Sequence, residues 1–284
     1  MAKYVPDILS RRWVIISSQR LNRPHTHGKG KAVCPFCPGH EEHIEPHVWQ
    51  DADDWHVRVI PNKYPITDFH EVIIHAQDHD KDIETLPLEH VAIILRAYRE
   101  RYNFYRDKGQ VLIFGNHGSQ AGASVEHAHS QLVVIPSQIN LDTLSREPLN
   151  NIVEENTYFN VYCPDFSQWP YEVWIAPKKE QGVYGDLTDE ELLDLAVLLQ
   201  KMLRRLGEIY TSQGISAVPF GYNFYISPKD NWYFRIIPRF VHRAGFELGT
   251  GLEVNIVDPS DAAIELRGED PQVAHVLKKL KGRE

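Results

Sequence analysis

The strongest constraint on the fold is an order of elements that occurs twice. Two strand-like runs, a long amphipathic helix and two more strand-like runs occupy residues 55–137 and again residues 158–240. The repeat offset of about a hundred residues is typical of a duplicated half-domain and is too long for a solenoid. The sequence therefore predicts an α+β fold with two tandem halves, 1–145 and 146–284. Each half is expected to be a mostly antiparallel sheet with one long helix.

The two helices are the best-marked elements of the repeat. Apolar residues recur three and four positions apart over residues 88–106 and over residues 192–210. Thr188 followed by Glu191 forms a capping-box pattern before the second helix. These patterns predict one helix in each half.

The composition excludes several classes of protein. The chain has 284 residues, of which 42% are hydrophobic and 24% charged, as in ordinary globular proteins. A net charge of -9 argues against a protein that coats nucleic acid, which needs a basic surface. We find no apolar run long enough to span a bilayer and no signal-peptide core in the N-terminal residues. We therefore expect a cytoplasmic protein that binds neither nucleic acid nor membrane.

The segment EHAHSQ places polar side chains at alternate positions. His127, His129 and Gln131 precede the apolar run 132–135, so on a strand they share one face. The counterpart of HAHSQLVVIP in the second half is DNWYFRIIPR, which has no histidine. This indicates that the chemistry lies in the first half. The alternative is a strand with polar residues on its solvent face.

A face of this kind suits chemistry at phosphorus. Neutral imidazole predominates near neutral pH and is a competent nucleophile, and a carboxamide can donate a hydrogen bond to a phosphoryl oxygen. The preceding segment GNHGSQAGAS supplies glycines, a hydroxyl and an amide of the kind that hold phosphates. Its His117 is interpreted as a loop histidine without a role.

Cys34 and Cys37 form a Cys-x-x-Cys pair, which is half of a tetrahedral zinc site. Cys163 stands in a strand-like run that reads as core, so the missing ligands are expected to be histidines. Spacing does not choose between two sets of candidates. They are the local His40, His43 and His47, or the distant His79 and His127.

Taken together, the motifs resemble a known family. They occur in order between Pro6 and about Arg267, and are CPFCPG, IPNKYP, AQDH, FGN, GAS, HAHSQ, WPYE, IIPR and AGFELGTG. This order resembles the galactose-1-phosphate uridylyltransferase family, the branch of the histidine-triad superfamily with glutamine in place of the third histidine. The resemblance implies two histidine-triad-like halves. The first would hold a zinc site and the nucleophile, and the second would be degenerate.

The resemblance also implies residue roles. His129 would attack the α-phosphorus of a nucleotide sugar, and Gln131 would hold a phosphoryl oxygen. One Zn²⁺ per chain would be bound by Cys34, Cys37, His79 and His127. Contacts with the nucleotide and its phosphates are implied for Arg20, Arg23, Asn62, Asn116 and Ser124, and contacts with the sugar for Phe246 and Glu247. The expected substrates are a nucleotide sugar with a sugar 1-phosphate or inorganic phosphate, and the expected assembly is a homodimer.

Some residues depart from the family pattern. Ser227, Asn231 and Tyr233 stand where many members have ligands of a second metal, so that site is predicted absent. Val125-Glu126 stand where the family commonly has Asn-Pro, and Ala128 stands where it has proline, beside the nucleophile.

Three hypotheses about function follow. The first is a UDP-glucose–hexose-1-phosphate uridylyltransferase. The second is a nucleotide-sugar phosphorylase, such as ADP-glucose phosphorylase, or a dinucleotide phosphorylase or hydrolase; the segment AGFELGTGLEVN is closer to the nucleotide-sugar phosphorylases. The third is a zinc-stabilised nucleotide-binding protein without turnover.

Overall fold

The structure is a computed structural model that describes residues 2–7, 12–22, 33–141, 144–214 and 218–272. No helix in these segments is both long and apolar enough to cross a membrane.

Most strands belong to one large sheet. In chain order the strands are β1 Lys3–Pro6, β2 Trp13–Ile16, β3 Trp49–Gln50, β4 Arg58–Pro61, β5 His70–Ile74, β6 Gln110–His117, β7 His129–Ile135, β8 Ile152–Glu155, β9 Phe159–Tyr162, β10 Val173–Pro177, β11 Tyr222–Ile226 and β12 Phe234–Pro238. β1 and β2 pair with each other, and the other strands form a ten-stranded sheet in the order β3-β4-β5-β7-β6-β11-β12-β10-β9-β8. All of its pairings are antiparallel.

Two long helices cover one face of this sheet. α1 spans Leu88–Tyr105 and α2 spans Asp189–Ser212. At the start of α2, Thr188 and Glu191 form the predicted capping box. The apolar faces of both helices pack with sheet residues into the main core. Two shorter helices follow, α3 Gly245–Thr250 and α4 Pro259–Leu266.

The sheet contains the same strand order twice. Read inward from the two edges, the order is β3-β4-β5-β7-β6 in the first half-sheet (β3 to β7) and β8-β9-β10-β12-β11 in the second half-sheet (β8 to β12). β6 and β11 pair at the centre, with Phe114 opposite Tyr225. Gln131 lies opposite Phe114, and Arg235 lies opposite Tyr225, so these two residues hold corresponding places. The predicted α+β class, with one long helix per half, is confirmed; the boundary at 145/146 stays a prediction.

Candidate active site

His129 begins β7 and is nine-tenths buried. Its Nδ1 lies 2.8 Å from the main-chain oxygen of His127, so the Nδ1–H group donates to that oxygen. This bond selects the tautomer in which Nε2 is unprotonated. The ring of Phe36 meets the His129 ring edge-on, with 5.2 Å between centroids. The imidazole is therefore held in one orientation with a nucleophilic nitrogen.

Cys34, Cys37, His79 and His127 converge beside His129. Their four ligand atoms lie within 4.8 Å of one another. His127 Nε2–H donates to the Ala76 carbonyl at 2.8 Å, which leaves Nδ1 to face both thiols at 3.6 Å. His79 Nδ1 lies 3.4 Å from the Cys37 sulfur.

These distances can be compared with those in a metal site. Standard Zn–S and Zn–N bonds at tetrahedral angles place sulfur and nitrogen about 3.6 Å apart. Burial and the neighbouring Cys34 thiol raise the pKa of the Cys37 thiol to about 11, an effect that a bound cation would reverse. The group could therefore bind a metal, and its donor set fits zinc. His40 is not among these four residues, and its Nδ1–H donates to the Cys34 carbonyl at 2.8 Å.

A cavity of about 490 Å³ opens next to His129 on the sheet face opposite the helices. Its apolar wall includes Phe36, Ile44, Ile60 and Val72. Its polar lining includes Asn62, Lys63, Ser124, His129 and Gln131. The structure thus brings together four residues predicted from the sequence, Asn62, Ser124, His129 and Gln131. The size and the mixed lining suit a small organic ligand.

His70, on β5, orients Gln131 and is a site residue that the sequence did not predict. The Ile66 N–H donates to His70 Nδ1 at 2.9 Å, so the proton lies on Nε2. That N–H donates to the Gln131 side-chain oxygen at 3.0 Å. The amide nitrogen of Gln131 is then the group available to the cavity, as a donor. The pairing of β5 with β7 makes this contact, which no local pattern indicates.

A charged cluster borders the other side of the site. The His117 ring is stacked on Tyr222, and its Nδ1 lies 2.5 Å from the Asp82 carboxylate. Glu84 lies 3.9 Å from His117 Nε2. Burial lowers the pKa of His117, but the hydrogen bond and the charge of Asp82 outweigh it and raise that pKa. His117 therefore belongs to an ion pair, although no pattern in the sequence indicates a role for it.

The remaining predicted residues lie at varying distances from this centre. Asn116 and His129 border one small cavity with His117. Arg20 donates to the Tyr64 carbonyl at 3.0 Å, at the edge of the large cavity. Arg23 lies outside the described residues.

Phe246 and Glu247 are not brought to His129. They lie on α3, where Phe246 is 55% exposed. Glu247 lines a separate cavity of about 510 Å³ with Arg235 and Arg243. Their predicted contact with the sugar stays a prediction.

Comparisons of sequence give two kinds of match. Residues 16–137 match the family model described as the N-terminal domain of DUF4931, a domain of unknown function. The chain is 27% identical to an ADP-glucose phosphorylase from Arabidopsis thaliana, over 92% of this chain and 91% of the relative. It is 23% identical to a galactose-1-phosphate uridylyltransferase from Thermotoga maritima, over 93% of this chain and 98% of the relative.

Solved structures agree with the sequence comparisons. A crystal structure of an ADP-glucose phosphorylase from Arabidopsis thaliana with bound ADP-glucose has a TM-score of 0.73 at 25% identity, covering 94% of this chain and 99% of that chain. A GalT-like protein from Arabidopsis thaliana has a TM-score of 0.75 at 27% identity, covering 95% and 99%. A DUF4931 family protein from Bacillus cereus, 19% identical over 78% of this chain and 98% of that chain, shares the fold with a TM-score of 0.59. The chain therefore resembles the galactose-1-phosphate uridylyltransferase family over nearly its whole length, as its motifs predicted.

Proposed function

We propose that the protein is a nucleotidyltransferase that forms a covalent nucleotidyl-imidazole on His129. The observation that carries this proposal is the hydrogen bond from His129 Nδ1 to the His127 carbonyl, which leaves Nε2 unprotonated at the wall of a ligand-sized cavity. A nucleophile held this way needs no further reorientation before attack.

The reaction would proceed in two displacements at the α-phosphorus. His129 Nε2 forms a bond to phosphorus while the bond from phosphorus to the bridging oxygen breaks, and a sugar 1-phosphate leaves. An oxygen of the acceptor then attacks the same phosphorus, and the phosphorus–nitrogen bond breaks. With inorganic phosphate as acceptor, the product is a nucleoside diphosphate. With a hexose 1-phosphate, it is a new nucleotide sugar.

The other residues would bind and orient the substrate. The Gln131 amide, held by His70, would donate to a non-bridging phosphoryl oxygen, where charge accumulates in the transition state. Ser124 and Asn62 line the same cavity. Further contacts with the nucleotide and phosphates are proposed for Arg20, Arg23 and Asn116, and contacts with the sugar for Phe246 and Glu247.

A structural zinc ion would be held by Cys34, Cys37, His79 and His127, one per chain. Bound there, zinc would pin the chain two residues before His129 and so restrain the nucleophile. His127 takes part through Nδ1, because its Nε2–H is used by the Ala76 carbonyl.

The proposal has two candidate acceptors, inorganic phosphate and a hexose 1-phosphate. Phosphorolysis of a nucleotide sugar is favoured by the 27% identity to ADP-glucose phosphorylase over 92% of this chain, against 23% identity to the Thermotoga uridylyltransferase over 93%. Uridylyl transfer to a hexose 1-phosphate uses the same intermediate. We also expect a cytoplasmic homodimer.

The test is to incubate the protein with UDP-glucose or ADP-glucose labelled at the α-phosphorus. We expect acid-labile, alkali-stable label in the wild type and none in His129→Ala. His43→Ala is the matched control, since His43 lines the same cavity and has no assigned role. A chase with phosphate or with galactose 1-phosphate then identifies the acceptor. If neither nucleotide labels the protein, the proposed nucleotidyltransferase activity is refuted. The remaining hypothesis is then a nucleotide-binding protein without turnover.

A further inference from the structure

We propose that Asn223 and Arg239, both from the second half-sheet region, orient the amide of Asn116 and so set the phosphate-binding geometry beside His129. This inference rests on the proposed function, because it assigns Asn116 to the substrate phosphates. It makes Asn223 and Arg239 positioning residues that act through Asn116.

The two asparagines meet where the half-sheets join. Asn116 on β6 lies directly opposite Asn223 on β11. Asn223 Nδ2 donates to the Asn116 side-chain oxygen at 2.6 Å and to the Ala121 carbonyl at 2.9 Å. Ala121 belongs to the Gly-rich segment that leads to Ser124. One side chain from the second half thus holds both an amide and a loop of the site.

The hydrogen bonds from Arg239 to Asn223 and from Asn223 to Asn116 form a relay with a fixed direction, which Arg239 sets. A guanidinium can only donate, so Arg239 Nε–H donates to the Asn223 side-chain oxygen. The Asn223 nitrogen must then face Asn116, and the Asn116 oxygen must face Asn223. The Asn116 nitrogen then has both of its N–H groups for the small cavity that Asn116 shares with His129.

Arg239 is itself held by the second half. Its guanidinium lies 4.3 Å from the centre of the Trp169 ring, and its main-chain N–H donates to the Gly221 carbonyl at 2.8 Å. Burial, and then the charges of Arg243 and Arg235, lower the pKa of Arg239, although a guanidinium stays protonated at neutral pH. The direction of the relay is therefore the same throughout the working pH range.

The orientation of the Asn116 amide decides whether this side chain attracts or repels an anionic ligand. With the amide held as observed, Asn116 presents N–H donors to a phosphoryl oxygen. With the amide reversed, it would present its own oxygen, which repels the phosphate. The nucleophile of the first half would then depend on a relay in the half that has no nucleophile.

The experiment is Asn223→Asp in the full-length protein. Aspartate keeps the shape and can still accept from Arg239, but it has no donor for Asn116, so the Asn116 amide reverses to donate to it. We expect the rate constant for nucleotidylation of His129 to fall by about 100-fold, the scale for loss of one oxyanion donor. Asn160→Asp, on β9 of the second half-sheet, should change it little.

A double-mutant cycle separates positioning from the added negative charge. In an Asn116→Ala background, Asn223→Asp should have almost no further effect, because the residue through which it acts is gone. An equal loss in both backgrounds, or a wild-type rate for Asn223→Asp alone, would overturn the inference and leave the proposed function intact.

Calorimetric titration with ADP and UDP gives a readout that does not depend on turnover. If the wild type takes no label, the proposed enzyme fails, and weaker binding of either diphosphate by Asn223→Asp than by Asn160→Asp still supports the relay. Equal binding by the two variants, or no binding by the wild type, overturns it.

Discussion

The two half-sheets have the same strand order but different surfaces on the side away from the long helices. In the first, Ile60 and Val72 lie beside Gln131 and leave a cavity of about 490 Å³. In the second, the corresponding places carry Tyr162 and Trp174, both fully buried. Large aromatic side chains therefore fill the space that small aliphatic ones leave open.

The polar residues differ in the same sense. Tyr233 corresponds to His129 by strand register and stacks on Trp174 with 3.9 Å between ring centroids. Arg235, in the place of Gln131, makes a buried two-bond pair with Glu172 at 2.7 and 2.8 Å. His129 and Gln131 of the first half-sheet line the cavity, whereas their counterparts in the second stack on Trp174 or pair with Glu172. One architecture thus carries the candidate site in one half-sheet and stacked aromatic rings with a buried ion pair in the other.

The largest effect on activity is expected at His129, in comparison with its counterpart Tyr233. His129→Ala should lower nucleotidylation by at least about 10⁴-fold, since it removes the nucleophile. Tyr233→Phe should leave activity unchanged and cost about 1 kcal/mol of stability, from the lost hydrogen bond to the Leu144 carbonyl. Rate measurements and urea unfolding check the two outcomes. Comparable activity in both variants would remove the functional difference between the halves.

The next comparison concerns the cysteines. Cys34→Ser should lose bound metal and lower the melting temperature strongly, because metal binding contributes directly to folding. Cys163→Ser, in the fully buried thiol of the second half, should keep the metal and cost about 1–3 kcal/mol for an added buried hydroxyl. Metal analysis and thermal unfolding provide the test. Stoichiometric metal in Cys34→Ser would contradict the four-ligand assignment.

A third prediction tests the buried Arg235–Glu172 ion pair of the second half-sheet. Arg235→Met leaves the buried Glu172 carboxylate without its cationic partner, which should cost about 3–5 kcal/mol. Arg106→Met breaks an exposed pair with Asp186 and should cost less than about 1 kcal/mol. Denaturant unfolding measures both. If the two costs are similar, the internal pairing of the second half is not a source of stability.

The smallest expected effect is a pH dependence in the first half. The hydrogen bond and charge of Asp82 outweigh burial and raise the pKa of His117, so the pair stabilises the fold fully below the unfolded value of about 6.5. That stability is lost as pH rises through the higher folded value. The melting-temperature gap between wild type and Asp82→Asn should therefore shrink from about pH 6 to pH 9. A gap that widens with pH would contradict the sign.

Much of the fold followed from local patterns. The helix predicted over 88–106 is observed as Leu88–Tyr105, and the one predicted over 192–210 begins earlier, at Asp189 after the Thr188 cap. Helix period and capping are local, so they survive without knowledge of the neighbours. The repeated order of elements along the chain is local in the same way, whereas the matching strand orders of the two half-sheets come from the tertiary structure.

The metal ligands are an example of residues that local patterns could not identify. Spacing left His40 as plausible as His79, because ligand geometry depends on which strands are neighbours. β5 and β7 pair antiparallel with Ile74 opposite His129, so the chain after β5 and the chain before β7 meet at one edge. This pairing brings His79 and His127 together.

The sequence by itself determined the repeated architecture and the strand face that carries His129 and Gln131. Only the tertiary structure decided which histidines join the thiols, how His70 and Asn223 orient the two site amides, and that aromatic side chains fill the second half. Periodicity reports which way a side chain points along its own element. Contacts between elements depend on strand order and register, which are settled only when the whole sheet assembles.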